Sequence, residues 1–299
     1  MSFPTGIYIG TSGWSYPRGE GTWKGHFYPA GKVNELEYYS QFFNTVEVNS
    51  SFYRPPNPGY VYNWARRVPP GFLFTVKLWQ KFTHPRMYEE ATGEEAAISH
   101  NDVETFRRSI EPLVRYGKLG ALLAQFPPSF RNDSRGRQIL KAVINTFGRY
   151  RLAVELRHRS WSDDAATAGL LGEHKVAWVQ TDEPRFSSSA ARDLPVTSDM
   201  AYFRFHGRNA EMWWKGDSET RYKYLYSYEE IEELGARVKS AAEKTELLFA
   251  LFNNHWQGYA PRNAIEMKGS LQLPLKAPPV QPELEQGEDG EDRSRTDMR

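Results

Sequence analysis

Five places in the chain set two polar or ionisable residues two positions apart at the end of a short apolar run. They are Glu47 and Asn49, Thr75 and Lys77, Glu155 and Arg157, Gln180 and Asp182, and Arg204 and His206. Residues two apart in extended chain share a face, so each pair projects to one side while Val46, Val48, Val76, Leu156, Phe203 and Phe205 project to the other. Gathered at one rim, these groups suit acid/base chemistry. Glu47 and Glu155 are the candidate acid/base pair, since two carboxylates in different surroundings separate their proton affinities. His206 is a candidate for proton transfer or metal binding, and Asp182 is a further catalytic carboxylate. Lys77, Arg157 and Arg204 would hold an anion and stabilise developing charge. Asn49 and Gln125 would orient the ligand, and Trp14, Tyr53 and Trp161 would stack on it. A Glu47–Lys77 or Glu155–Arg204 ion pair would oppose the acid/base assignment.

The same residues admit other chemistries. Glu47, Glu155 and Asp182 balance Lys77, Arg157 and Arg204, as a purely structural ion-pair network would, although burying that many charges is costly even when all are paired. With His206, the three carboxylates form an oxygen-rich donor set suited to Mg, Mn or Zn. Three cations at the same rim count against a metal, so the sequence requires no cofactor and leaves a divalent ion as an alternative. The loop Gly207-Arg208-Asn209 and the segment from Asn253 and Asn254 into the last helical pattern match the place where many barrels bind phosphate; Arg204 and Arg208 would supply charge-assisted bonds. The alternative is that Asn253 and Asn254 satisfy a tight turn. No H-E-x-x-H run occurs, and Gly10-Thr-Ser-Gly13 is not a nucleophile elbow.

What must position these residues is a regular beat of strands. Apolar runs rich in β-branched and aromatic residues occur at Ile7–Gly10, Thr45–Val48, Phe72–Lys77, Leu119–Gln125, Leu152–Leu156, Val176–Thr181, Ala201–His206 and Leu247–Phe252. Between them lie helical patterns such as Val103, Phe106, Ile110 and Leu113, and Ile139, Leu140, Val143 and Phe147. Ser227-Tyr-Glu-Glu230 has capping-box spacing ahead of Ile231, Leu234 and Val238. Eight strand–helix units predict an α/β fold, a single (β/α)8 TIM-type barrel over residues 1–277, with the polar strand ends at its C-terminal rim. A doubly wound sheet is the competing architecture, but no G-x-G-x-x-G or G-x-x-x-x-G-K-[ST] turn is present. Seven of the nine tryptophans fall in loops after strands, either to stack on sugars or bases or to cap the barrel.

Composition narrows the classes further. The 299 residues carry 38 Lys+Arg against 37 Asp+Glu and no cysteine, which excludes disulfides, thiolate catalysis, Fe–S clusters and Cys-type zinc sites. Residues 281–299 hold seven acidic and three basic residues, net −4, leaving +5 for residues 1–280. The segment 278–299 has almost nothing apolar to bury and is expected to be a disordered acidic tail. With no stretch near the length of a membrane span, the chain reads as cytoplasmic, without a membrane partner.

These pieces resemble the domain of unknown function 72 family, also called YecE-like. The resemblance rests on Ile9-Gly-Thr-Ser-Gly-Trp14 with Tyr28-Pro29, Phe43-Asn-Thr-Val-Glu-Val-Asn-Ser-Ser-Phe-Tyr53, Phe74-Thr-Val-Lys77, Leu123-Ala-Gln-Phe-Pro127, Glu155-Leu-Arg-His-Arg-Ser-Trp161, Tyr202-Phe-Arg-Phe-His-Gly-Arg208, and Asn253-Asn254 followed by Asn263-Ala264. It implies a TIM-type barrel and no settled reaction. The expectation is therefore a hydrolase-type enzyme acting on a phosphorylated or sugar-containing ligand at the rim. The competing classes are a non-catalytic module binding nucleic acid or oligosaccharide, and a metal-dependent phosphodiesterase.

Overall fold

The computed structural model describes residues 6–217 and 220–275, so the acidic tail expected over 278–299 lies outside the described residues. Nine segments run parallel: β1 (Ile7–Ser12), β2 (Thr45–Val48), β3 (Leu73–Lys77), β4 (Leu119–Gln125), β5 (Leu152–Glu155), β6 (Ala177–Trp178), β7 (Gln180–Asp182), β8 (Met200–Phe205) and β9 (Leu247–Phe252). Their order is β6-β5-β4-β3-β2-β1-β9-β8-β7. β6 and β7 are two halves of one strand, parted only by Val179, and the first half pairs with β5 while the second pairs with β8. That handover closes the ring. The architecture is the eight-stranded α/β barrel expected from eight apolar runs.

Inside the ring, Ala121, Leu123, Ala153, Ala177, Val179, Met200, Tyr202, Leu247, Phe249 and Leu251 form a buried plug, with the half-buried Tyr8 and Leu73 packed against it. Barrel interiors are filled in this way, by side chains from alternate strand positions. The intervening residues of the same strands pack outward against the helices in a larger, aromatic-rich core. The helix His100–Arg115 opens on a Ser99/Asp102 capping box and buries Val103, Phe106, Ile110 and Leu113. Tyr228–Ala242 opens on the expected Ser227/Glu230 box. β1 and β2 approach so closely that a Cβ at Gly10 would lie 2.1 Å from the Thr45 carbonyl oxygen, which only glycine permits.

One connection departs from the regular unit. From Asp182 to Met200 the chain makes turns and extended stretches but no helix, because Pro184, Ser187-Ser-Ser189 and Pro195 interrupt any apolar period there. Among the described residues, no helix is long and apolar enough to cross a membrane.

Candidate functional site

Above the plug, at the C-terminal ends of the strands, the polar side chains converge. Glu47 is fully buried; its Oε1 accepts from Arg204 Nη2 at 2.7 Å, and its Oε2 accepts from Arg204 Nε at 3.0 Å and Tyr202 Oη at 2.7 Å. Thr75 reaches the same Tyr202 hydroxyl at 2.8 Å. The third nitrogen of Arg204, Nη1, donates to Glu155 Oε2 at 2.7 Å, and Arg157 Nε donates to Glu155 Oε1 at 2.6 Å. Arg204 thus bridges two carboxylates across the lumen. Burial alone would raise the Glu155 carboxyl, but Arg157 and Arg204 outweigh it and hold the group far below the usual range.

This geometry corrects the acid/base expectation. The Glu155–Arg204 pair forms, and Glu47 is held by the same guanidinium, so both carboxylates are taken up by the lock rather than free to act on a ligand. His206 is also committed. Arg157 Nη2 lies 3.2 Å from His206 Nε2, and a guanidinium can only donate, so Nε2 is the acceptor and the ring proton sits on Nδ1; Asn253, whose Nδ2 lies 3.0 Å from Nδ1, accepts that proton with its amide turned to present Oδ1. Burial, then Arg204 and Arg157, push the imidazole well below its ordinary value. His206 therefore positions Arg157 as a neutral ring.

Lys77 stands apart from this lock. Its Nζ lies 3.9 Å from the centroid of the Phe52 ring, and no hydrogen bond or ion pair joins it to a described residue. Burial, then the nearby Arg204, push its ammonium down to about 7 against the opposing pull of Glu155 and Glu47. Further groups without a hydrogen bond share the mouth. Asn49 Oδ1, Ser12 Oγ and Glu183 Oε2 are buried without a hydrogen-bond partner among the described residues, and such atoms need an explanation. Gln125 donates to the Phe126 carbonyl and meets His84 at 3.4 Å; burial, then Lys77, hold His84 down to about 3.

Several expected site residues lie elsewhere. Asp182 faces outward, accepting from Arg208 Nε and Nη2 and from Tyr226 Oη, each at 2.9 Å. Arg208 also bonds Glu230 and Glu233. Both residues clamp the loop after β8 to the helix Tyr228–Ala242, which corrects their catalytic and phosphate-binding assignments. Trp178 packs in the outer layer while Ala177 and Val179 line the lumen, and in that phase Glu183 takes the inward place expected for Asp182. Asn254 braces Tyr224 and Asn263. Trp14 packs edge-on against Trp64 at 5.2 Å, and Trp161 is buried, stacked on Phe130 at 5.3 Å and bonded to its carbonyl. These two rings hold loops rather than a ligand, whereas Tyr53 is exposed.

The expected metal set fails for the same reasons. Asp182 is turned away and Arg204 engages three of the four oxygens of Glu47 and Glu155. Among the described residues, no three His or carboxylate groups are arranged to hold a metal ion. Sequence reading also missed Glu183, His84, Ser12, Phe52 and Tyr202. The two-residue period down from Arg204 would have found Tyr202. The aromatic wall of Tyr16, stacked on His255 at 4.5 Å, and Tyr222, 6.1 Å from His206, had no local signal.

A role for Asp182 outside the mouth has a direct check. Asp182→Ala should cost about 2 kcal/mol in urea unfolding, by stranding Tyr226 and Arg208. Ligand-induced thermal shifts at the mouth should survive the substitution.

The family described as "Protein of unknown function DUF72" matches residues 8–287. This chain belongs to that family. Among relatives, the UPF0759 protein YunF of Bacillus subtilis is 30% identical over 281 residues, 89% of this chain and 95% of YunF. The UPF0759 protein YecE of Escherichia coli K12 is 28% identical over 155 residues, about half of each chain. A DUF72 protein of Thermotoga maritima superposes with a TM-score of 0.77 at 36% identity, covering 89% of this chain and 99% of that one. A second, from Enterococcus faecalis, gives 0.76 at 25% identity, covering 90% and 99%. The barrel is thus the DUF72 barrel, and the family's description assigns it no reaction.

Proposed function

We propose that this DUF72 protein is an enzyme that takes a small, hydroxyl-bearing anion, a sugar phosphate in chemical class, at the C-terminal mouth. It acts there by proton transfer of the kind a hydrolase uses. The observation that carries this reading is Lys77, a half-buried amine with no acceptor among the described residues, poised near neutrality beside a bridged Glu–Arg–Glu lock. A lysine kept only for stability would be paired or would turn its head to water.

In this reading the acid/base roles pass from the two locked carboxylates to Lys77 and Glu183. Lys77 accepts a proton from the ligand or from a water. Glu183, which burial holds above the ordinary carboxylate range against the pull of Arg157, returns one to the departing oxygen. Arg157, fixed by Glu155 and His206, offers Nη1 to the anion, and Asn49 and Ser12 meet ligand hydroxyls. Glu47, Tyr202 and Arg204 hold the floor of the site rigid.

Thermal unfolding against a panel of sugar phosphates, at low and high salt, tests this. A sugar phosphate should raise Tm at both salt levels, and Arg157→Gln should weaken its binding about tenfold by removing the charge-assisted contact. One observation favours a second reading. Trp214 is exposed beside Phe186 at the rim, with a ring separation of 5.4 Å, a platform suited to single-stranded nucleic acid. An oligonucleotide shift lost at high salt and indifferent to Arg157→Gln would replace the enzyme reading with that one.

A further inference from the structure

The two carboxylates expected to face Lys77 are spoken for: Glu47 by Arg204 and Tyr202, Glu155 by Arg204 and Arg157. Below Lys77 on the same strand face, Thr75 is tied to Tyr202. On its flank lies the apolar face of Phe52, itself edge-on to His84 at 4.9 Å. Lys77 is only partly covered, whereas Glu47, Glu155 and Arg204 are fully buried. The amine therefore meets a ring on one side, guanidinium charge on another, and the open mouth of the barrel beyond.

An amine so placed keeps its lone pair, and a desolvated lysine beside other cations is the arrangement that makes an amine nucleophilic toward carbonyl carbon. We propose that Lys77 condenses with the carbonyl group of a small anionic aldehyde or ketone, one carrying a phosphate or carboxylate, to form a protonated imine at Nζ. The inference rests on the mouth being the catalytic site proposed above, and it names the class of ligand.

The step balances without an oxidant or reductant. The Nζ lone pair forms the C–N bond as the carbonyl π electrons move to oxygen, which takes a proton. The nitrogen gives up a proton, and the hydroxyl then leaves as water after a second protonation, with the nitrogen lone pair completing the C=N bond. One amine, one carbonyl and one proton yield one iminium ion and one water. Glu183 is buried, and its Oε2, which makes no hydrogen bond among the described residues, is ion-paired with Arg157 Nη1 at 3.6 Å, so a carboxyl proton source and an anion-binding nitrogen are adjacent. The Phe52 ring, 3.9 Å from Nζ, faces the cation that develops.

The test uses the full chain with dihydroxyacetone phosphate and pyruvate as probes, each with cyanoborohydride to reduce an imine to a stable secondary amine, followed by peptide mass mapping. Glycerol 3-phosphate and lactate, which lack the carbonyl, serve as non-covalent counterparts in thermal unfolding. The expected result is one dominant adduct, on Lys77, at neutral pH, absent from Lys77→Arg and Lys77→Met. The probe that labels tells whether the anion is phosphate or carboxylate. Adducts spread evenly over surface lysines, or none, would overturn the imine. If the non-carbonyl counterparts still raise Tm in that case, the acid/base reading stands alone; if they do not, both fall. A ligand-free check covers a misfolded variant: the pH profile of Lys77 acetylation should break near neutrality, and a break in the ordinary lysine range would also overturn the proposal.

Discussion

Arg204→Met should lower the stability of the barrel by about 3–5 kcal/mol, the cost of leaving a buried carboxylate without its cation. In a domain of this size that corresponds to a fall in Tm of about 5–10 °C. The reason is the bridge: one guanidinium donates to both oxygens of Glu47 and to Glu155, all three groups being buried. Glu155 keeps Arg157 in the variant, but Glu47 keeps only the Tyr202 hydroxyl. Stranded in this way, Glu47 should take up a proton on folding, so the deficit should shrink as pH falls toward about 4. In the parent protein the sign is opposite. Glu155 is depressed on folding, so its contribution is full above its unfolded range and is lost as pH falls below it. Adding Glu47→Gln to Arg204→Met should recover part of the loss, which a double-mutant cycle by urea unfolding would measure. An Arg204→Met variant as stable as its parent would show that the lock carries no structural weight.

Lys77→Met should do the reverse, stabilising the fold while removing the proposed function. The Lys77 ammonium is pushed from 10.5 to about 7 on folding, so below neutrality folding must either bury a charge or release its proton. Stability of the parent should therefore rise with pH between about 7 and 10.5, where the unfolded chain still binds the proton that the folded chain has lost. Methionine has similar reach and no charge, and it should raise stability at pH 6 by about 1–2 kcal/mol, the usual scale for relieving a strained functional group. The rise with pH should disappear with it. Denaturant midpoints of parent and variant across pH 6 to 10 check both statements. A Lys77→Met variant less stable than its parent at every pH would make Lys77 structural and remove the basis of the proposed function.

Much of the site was legible because strand periodicity is local. Once β2, β3, β5 and β8 are recognised as strands, the two-residue period alone puts Glu47 and Asn49, Lys77, Glu155 and Arg157, and Arg204 and His206 on one face. The count of eight strands, the gathering of polar side chains at one rim and DUF72 membership were likewise written in the chain. The phase of the strand across β6 and β7 was misread, since Gln180 and Asp182 are the polar alternates there. Trp178 lies in the outer layer with Ala177 and Val179 in the lumen, and that phase sends Asp182 out and Glu183 in.

The tertiary structure alone decided who pairs with whom. Arg204 meets Glu47 across 157 positions of sequence, and no local pattern says which of three cations takes which carboxylate. That choice reversed the roles, locking the residues that looked reactive and freeing Lys77, which looked like a charge clamp. The loop tryptophans followed the same rule, because whether a large ring meets a ligand or a neighbouring loop depends on what the closed barrel brings beside it. Sequence determined the strands and the face each side chain takes, which are properties of a few neighbouring residues; closure of the ring determined the partners, because pairing across a lumen is set by three-dimensional distance.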